Sequence, residues 1–207
     1  MSVSMPWGHI VRVSGGYLFA ASGSGLRIFD LSTFTQVKAL GGDITSMRIF
    51  GTTMYVGYSD GFKTVRAWDI SDPTAPALLT SATLLAQPQD FALVGSDLWV
   101  PNYSSGMTSV IDPITLALKT IVFQGTRPAA AVADATRVYV ADPADGNVFG
   151  FNAASRNLTW TANTGTGVYD LYFDGTSLWA PNSYTDTLYQ LNPATGATIA
   201  TYTTGGQ

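Results

Sequence analysis

Short apolar runs recur along the chain at near-constant spacing, each bounded by glycine or by Asp, Asn, Ser and Thr. Five of them hold an aromatic at the centre: Leu18-Phe19-Ala20, Met54-Tyr55-Val56, Leu98-Trp99-Val100, Val138-Tyr139-Val140 and Leu178-Trp179-Ala180. Successive aromatics are 36, 44, 40 and 40 residues apart. Four positions before each stands Gly15, Gly51, Gly95, Ala135 or Gly175, and glycine suits the positive φ of a hairpin turn. Further on, each copy carries a large apolar residue followed by Asp or Asn: Phe29-Asp30, Trp68-Asp69, Ile111-Asp112, Phe151-Asn152 and Leu191-Asn192. Markers that agree in register over five copies define an internal repeat of about 40 residues.

Each copy reads as four short strands, here A to D in chain order. In the first, A covers His9 to Val13, B Tyr17 to Ala21, C Leu26 to Asp30 and D Gln36 to Leu40. The second runs from Ile44 to about Leu84, with an inserted loop near Asp60 to Lys63. The third has A at Asp90 to Val94 and D at Leu118 to Phe123; the fourth begins at Arg127 and its D strand holds Leu158 to Ala162; the fifth begins at Val168 and its D strand holds Thr198 to Thr203. The B strands are apolar on both faces, as in small sheets stacked on one another, whereas a sandwich strand would alternate. D strands carry Lys38, Lys119 and Thr201, as suits an exposed edge. The pattern predicts an all-β chain: a five-bladed β-propeller of four-stranded antiparallel blades, one domain over 1–207, with blades near 8–41, 42–85, 86–125, 126–165 and 166–207.

Composition sharpens this picture. All fourteen acidic residues are Asp, and the absence of Glu, a helix former, agrees with an all-β reading. Charged residues make up 12% and the net charge is −4, with lysines and arginines scattered; this excludes a nucleic-acid partner by charge. No cysteine is present, so disulfides and thiolate chemistry are excluded. The N-terminal MSVSMPWGHI lacks the pattern of a signal peptide, and no apolar run is long enough for membrane insertion. Met1, Val3 and Met5 alternate with serines and could add an edge strand to the last blade or to a neighbouring subunit.

The stretch VPNYSSGMTSVIDPITLALKTI (Val100 to Ile121) resembles the YVTN-type β-propeller repeat, and LWAPNSYTDTLYQLNPATGATIATY (Leu178 to Tyr202) is a second such copy. The resemblance implies the fold. It also implies a family that includes surface and binding proteins as well as lactonase-like and lyase-like enzymes, commonly with seven blades. With five, the chain either closes as a smaller ring or is an arc completed by another chain; the large apolar faces an arc would expose favour closure. The enzymes' histidine and carboxylate-held metal sites do not carry over, because the chain has no Glu and only His9, at the start of the first A strand. No catalytic residue, metal site or cofactor is expected.

Candidate chemistry lies in the B–C loops, which the repeat places at one end of every blade. They contribute Asp60, Asn102, Tyr103, Asp142, Asp145, Asn182 and Tyr184, joined at the same end by Arg127 from a D–A loop. Such groups suit hydrogen bonding and stacking with a sugar, or binding of a hard cation, although Asp, Asn and Ser are also what turns are made of. The Asp or Asn after each C strand reads as a turn cap. Trp160, between Thr159 and Thr161 in an outer strand, reads as a contact marker. The expected function is non-enzymatic: a structural or accessory protein of a virion or another extracellular or cell-surface assembly, with other protein subunits as partners. The alternatives are a lectin that binds glycan through the B–C loops and a lyase- or lactonase-like enzyme.

Overall fold

The structure, a computed structural model, describes residues 10–59, 61, 63–103 and 105–205. His9, the N-terminal arm and Asp60 lie outside the described residues. The described chain is made of antiparallel sheets, consistent with a five-bladed β-propeller. It divides into two compact units.

The first unit runs to Pro88 and takes in Ile114–Leu116. One sheet orders β1 (Ile10–Ser14), β2 (Tyr17–Ser22), β3 (Gly25–Asp30) and β4 (Gln36–Leu40); the next orders β5 (Ile44–Phe50), β6 (Thr53–Tyr58), β7 (Thr64–Asp69) and β8 (Ala77–Thr83), and the two-residue β9 (Gln87–Pro88) follows. Phe19, Ile28, Met47, Met54, Val56 and Tyr58 bury themselves in one core between the two sheets.

The second unit holds three sheets in chain order. They are β10 (Ala92–Val94), β11 (Asp97–Tyr103), β12 (Met107–Ile111) and β13 (Leu118–Phe123); β14 (Ala130–Ala133), β15 (Arg137–Asp142), β16 (Asn147–Asn152) and β17 (Leu158–Asn163); and β18 (Tyr172–Phe173), β19 (Leu178–Asn182), β20 (Thr187–Leu191) and β21 (Thr198–Thr203). Trp99, Val110, Val140 and Phe151 form one core, and Tyr139, Trp160, Leu171 and Leu178 the next. The second strand of each sheet is buried on both faces or nearly so, as expected; the exception is the last, where Trp179 is half-buried and Pro181 exposed.

The Asx caps recur as expected. The Oδ1 of Asp30, Asp69, Asn152 or Asn192 accepts the backbone N–H two residues on. Directly before each Asp or Asn the ladder slips by one residue, at Phe29, Trp68, Ile111, Phe151 and Leu191. That bulge turns the chain into the outer strand.

Two expectations are corrected. The A strand of the third sheet is shorter than the sequence suggested, since β10 begins at Ala92 and not at Asp90; that of the fifth is the two-residue β18, which begins at Tyr172. The cause is local: the carboxylates of Asp90 and Asp170 accept the N–H of Phe91 and Leu171, in competition with a strand ladder. Trp160 is not a contact marker. In β17 it alternates inward with Ala162, is only 9% exposed, stacks on Tyr139 with ring centres 5.8 Å apart, and donates its indole N–H to the Pro193 carbonyl at 3.1 Å. The outer strands are polar, as expected, but they also expose large apolar residues, among them Leu78 and Leu79 in the first unit and Leu118 and Phe123 in the second.

Candidate functional site

Seven of the eight sequence-predicted residues fall in the second unit, and the structure separates them into a buried framework and an exposed lining. Asn102, Asp142 and Asn182 end or nearly end the second strand of successive sheets and are buried. The polar groups of Asp142 and Asn182 hold loops. The Asp142 carboxylate accepts four backbone N–H groups: Oδ2 takes those of Thr126 and Arg127 at 2.6 and 2.7 Å, and Oδ1 takes those of Ala144 and Asp145 at 2.9 and 3.1 Å. Four strong acceptor sites meet four donors, and so the D–A loop before the fourth sheet is tied to the B–C loop of that sheet.

Asn182 does the same with an amide. Its Oδ1 accepts the N–H of Tyr184 and Thr185, while Nδ2 donates to the carbonyls of Thr164 and Gly165 at 2.8 and 3.2 Å. The choice between Asp and Asn follows the partner. The loop at 126–127 presents N–H groups, and the loop at 164–165 presents carbonyls. Asn102 donates to the Ser109 hydroxyl at 2.7 Å.

The tie is close enough to dictate glycine. A Cβ on Gly125, at φ +58°, would stand 2.1 Å from Asp142 Oδ2, and one on Gly167, at φ +109°, would stand 2.7 Å from the Tyr184 ring. Gly167 also donates its N–H to the Pro143 carbonyl at 3.0 Å and accepts the Ser183 N–H at 3.1 Å. In the first unit the corresponding loops meet likewise, with Ser59 N–H donating to the Asp43 carbonyl at 2.9 Å.

What this framework leaves exposed is a pocket of about 260 Å³ lined by Tyr103, Arg127, Pro143, Ala144, Thr166, Tyr169 and Tyr184. Three of the predicted residues, Tyr103, Arg127 and Tyr184, come together here. Asp145 stands outside the lining and accepts the Thr126 hydroxyl at 2.7 Å. Tyr169 was not foreseen. It follows Val168 in a D–A loop and meets Tyr184 hydroxyl to hydroxyl at 2.9 Å, the rings edge to face at 6.1 Å. That hydrogen bond, with burial adding to it, pushes the Tyr169 phenol up to about 12. The Arg127 guanidinium lies 5.8 Å from the centre of the Tyr103 ring, within cation–π range. The pocket therefore offers three phenol rings, their hydroxyls and one cation, on loops whose backbone is already pinned.

Among the described residues no group of three or more His, Cys, Asp or Glu side chains is placed to hold a metal ion. No helix among them is long and apolar enough to cross a membrane.

Fold and pocket together define a repeat protein of the β-propeller type. A model of the LVIVD repeat, a repeat of this type, matches residues 9–37 and 41–83, roughly a third of the chain. No curated protein matches. Among solved structures the chain is similar to the computationally designed Ika8 protein (TM-score 0.75, 15% identity, 93% of this chain and 60% of that one). It is also similar to a chain of the mitotic checkpoint complex (0.78, 13%, 92% and 63%) and to BamB from Moraxella catarrhalis (0.70, 19%, 93% and 63%). The chain thus spans about three fifths of the length of each of these, and at such identities the likeness concerns the fold.

Proposed function

We propose that this chain is a non-enzymatic β-propeller that presents surface for recognition, with the loop end of its second unit as the recognition surface. The observation that carries the reading is the division of labour in those loops. Asp142 and Asn182 consume the loop backbone, and the side chains of Tyr103, Arg127, Tyr169 and Tyr184 are left facing a pocket. A rigid frame with free aromatic and cationic side chains is how binding sites limit the entropy lost on association. The non-enzymatic reading is supported by the fate of Asp142, whose carboxylate is used up by four N–H groups and is not available as a base.

The partner we propose is a larger assembly, a virion or another extracellular structure, in which exposed apolar positions of the outer strands make the docking contacts. Phe123, 76% exposed at the end of β13, is the feature that favours docking. A structural relative that is part of a complex, the mitotic checkpoint chain, supports an interaction role in general terms. The YVTN likeness of residues 100–121 and 178–202, outside the segments that match the LVIVD model, stands as part of the same proposal. The second reading, a lectin, is favoured by the three tyrosines of the pocket. Co-purification and glycan-array binding test the two together. Association with a particle that is lost on Phe123→Asp supports docking. Glycan binding lost in Tyr103→Ala/Tyr184→Ala supports the lectin. A chain that stays monomeric, co-purifies with nothing and binds no glycan refutes the reading.

A further inference from the structure

We propose that the pocket of the second unit takes a single carboxylated sugar residue, with Arg127 meeting the carboxylate and the tyrosines meeting the ring. The proposal rests on the reading of the loop end as a recognition surface and names its ligand. Size comes first. At about 260 Å³ the pocket falls just short of the roughly 300–1,000 Å³ that drug-sized ligands occupy, which suits one ring better than an extended chain. The lining comes second. Tyr103, Tyr169 and Tyr184 each offer an apolar face for the C–H surface of a sugar and a hydroxyl for its rim. The Tyr169–Tyr184 hydroxyl pair uses one O–H hydrogen between them and leaves the other to donate, with acceptor capacity on both oxygens.

Charge comes third. Arg127 is exposed in this pocket, and among the described residues no carboxylate forms an ion pair with it. The acids of the neighbouring B–C loop are already engaged. Asp142 holds four N–H groups, including that of Arg127 itself, and Asp145 holds the Thr126 hydroxyl. The guanidinium fork matches a planar carboxylate in two parallel hydrogen bonds, and its position over Tyr103 restricts its freedom before any ligand arrives.

The backbone argues against a peptide C-terminus or a phosphate group. Both are commonly held by clustered main-chain N–H groups. Seven N–H groups of these loops are spoken for: Thr126, Arg127, Ala144 and Asp145 by Asp142, Tyr184 and Thr185 by Asn182, and Gly167 by the Pro143 carbonyl. The one charged donor in the lining is the Arg127 side chain, and beside it stand the hydroxyls of Tyr103, Thr166, Tyr169 and Tyr184. That combination suits a polyol with one carboxylate.

Methyl β-glucuronide and methyl β-glucoside differ only in the carboxylate at C6, and titrating each into the full chain by ligand-observed NMR tests the proposal. The methyl glycoside of N-acetylneuraminic acid serves as a second acidic probe and separates uronic from sialic acids. At least one acidic sugar should bind about tenfold or more tightly than the glucoside, as one charge-assisted hydrogen-bonded pair warrants. Arg127→Gln should bring the acidic sugar down to the level of the glucoside, and Tyr184→Ala should weaken both. Both side chains are exposed, so circular dichroism should show both variants folded. Equal affinity for acid and neutral sugar, or an acid preference that survives Arg127→Gln, overturns the ligand class and leaves the recognition surface standing. Binding of inorganic phosphate or of a peptide C-terminus in place of sugar, lost in Arg127→Gln, does the same. A folded chain that binds none of these probes overturns the proposal.

Discussion

The phenol of Tyr139 donates its hydrogen bond to Oδ2 of Asp134, five residues upstream, across the hairpin that joins β14 to β15. The other oxygen of Asp134 accepts the N–H groups of Thr136 and Arg137 at 2.6 and 2.7 Å. Forty residues on, Asp174 repeats the arrangement, with Trp179 as the donor at 2.7 Å and the Thr176 and Ser177 N–H groups on its Oδ1. One carboxylate thus closes each of these four-residue turns and anchors the central aromatic of the sheet. The earlier sheets close the same hairpin with two residues, led by Gly15, Gly51 or Gly95 at positive φ.

Stability should fall at both ends of the pH scale because of these pairs. The Asp134 and Asp174 carboxyls are held below the usual carboxylate range; burial, the largest single influence on Asp134, pushes its carboxyl up but is outweighed by the hydrogen bonds from Tyr139, Thr136 and Arg137 together, and hydrogen bonds from Trp179 and Ser177 lower that of Asp174. A depressed pKa contributes stability that is present above pH ~4, the unfolded value, and is lost as pH falls through the folded values. Burial, then Asp134, pushes the Tyr139 phenol up. That contribution is intact below pH ~10 and is lost as pH rises further. Urea midpoints measured from pH 2 to 11 should trace both declines. Asp134→Asn should cost about 1–2 kcal/mol at pH 7 and shrink the alkaline decline without abolishing it. An alkaline limb unchanged in that variant would count against the pair.

Trp160 should tolerate no added atom on either side. A Cβ on Gly150 would stand 2.2 Å from the indole, and one on Gly196 would stand 2.4 Å from it. Gly150→Ala must push the ring off Tyr139 and should destabilise by about 1–3 kcal/mol, as overpacked cores do. Trp160→Ala should cost about 3–5 kcal/mol. Chemical denaturation gives the free energies, and the tryptophan emission of Gly150→Ala should shift red as the indole moves toward water.

Phe34→Gly should stabilise the chain, though it deletes a large apolar side chain. Phe34 sits at φ 52° in the C–D turn and is 72% exposed. The equivalent residue of the last sheet, four after its Asn192 cap, is Gly196 at φ 73°. Left-handed backbone costs a non-glycine residue about 1 kcal/mol, and little packing is lost at so exposed a site. A gain of about 0.5–1 kcal/mol in urea denaturation is expected. A loss would mean that the exposed ring makes contacts that outweigh the strain.

The fold was legible because it is written five times. A single apolar run such as Leu98-Trp99-Val100 is ambiguous, but five in register with glycine before and Asp or Asn after are not, and the outer strands Gln36–Leu40, Leu118–Phe123 and Thr198–Thr203 fall where the pattern put them. The errors arose where one copy departs from the others. Asp90 and Asp170 shorten their strands by competing for a backbone N–H, which no apolar pattern reports. Trp160 looked exposed because threonines flank it, yet strand alternation places it with Ala162 on the inner face. In the site, the repeat pointed to the B–C loops but could not tell a buried tie such as Asp142 from an exposed side chain such as Tyr184, since both are polar turn residues. Tyr169 has no counterpart at the equivalent positions Gln89 and Ala129, and that irregularity was its one signal.

Asp142 and Asn182 should not be exchangeable for each other's residue type, although they occupy the same position in consecutive sheets and differ by one atom. Asp142→Asn would aim an NH2 group at the N–H groups of Thr126 and Arg127, which leaves two donors unpaired; Asn182→Asp would aim a carboxylate at the carbonyls of Thr164 and Gly165. Each change strands buried polar groups and should cost about 1–3 kcal/mol. Asp142→Asn should also loosen the loop that carries Arg127, so that amide exchange at Thr126 and Arg127 speeds up by more than the global loss of stability explains. The reverse substitution should spare those amides and speed exchange at Tyr184 and Thr185, whose acceptor is Asn182 Oδ1. Exchange rates that rise equally at both loops in both variants would show a global loosening instead of two separate ties.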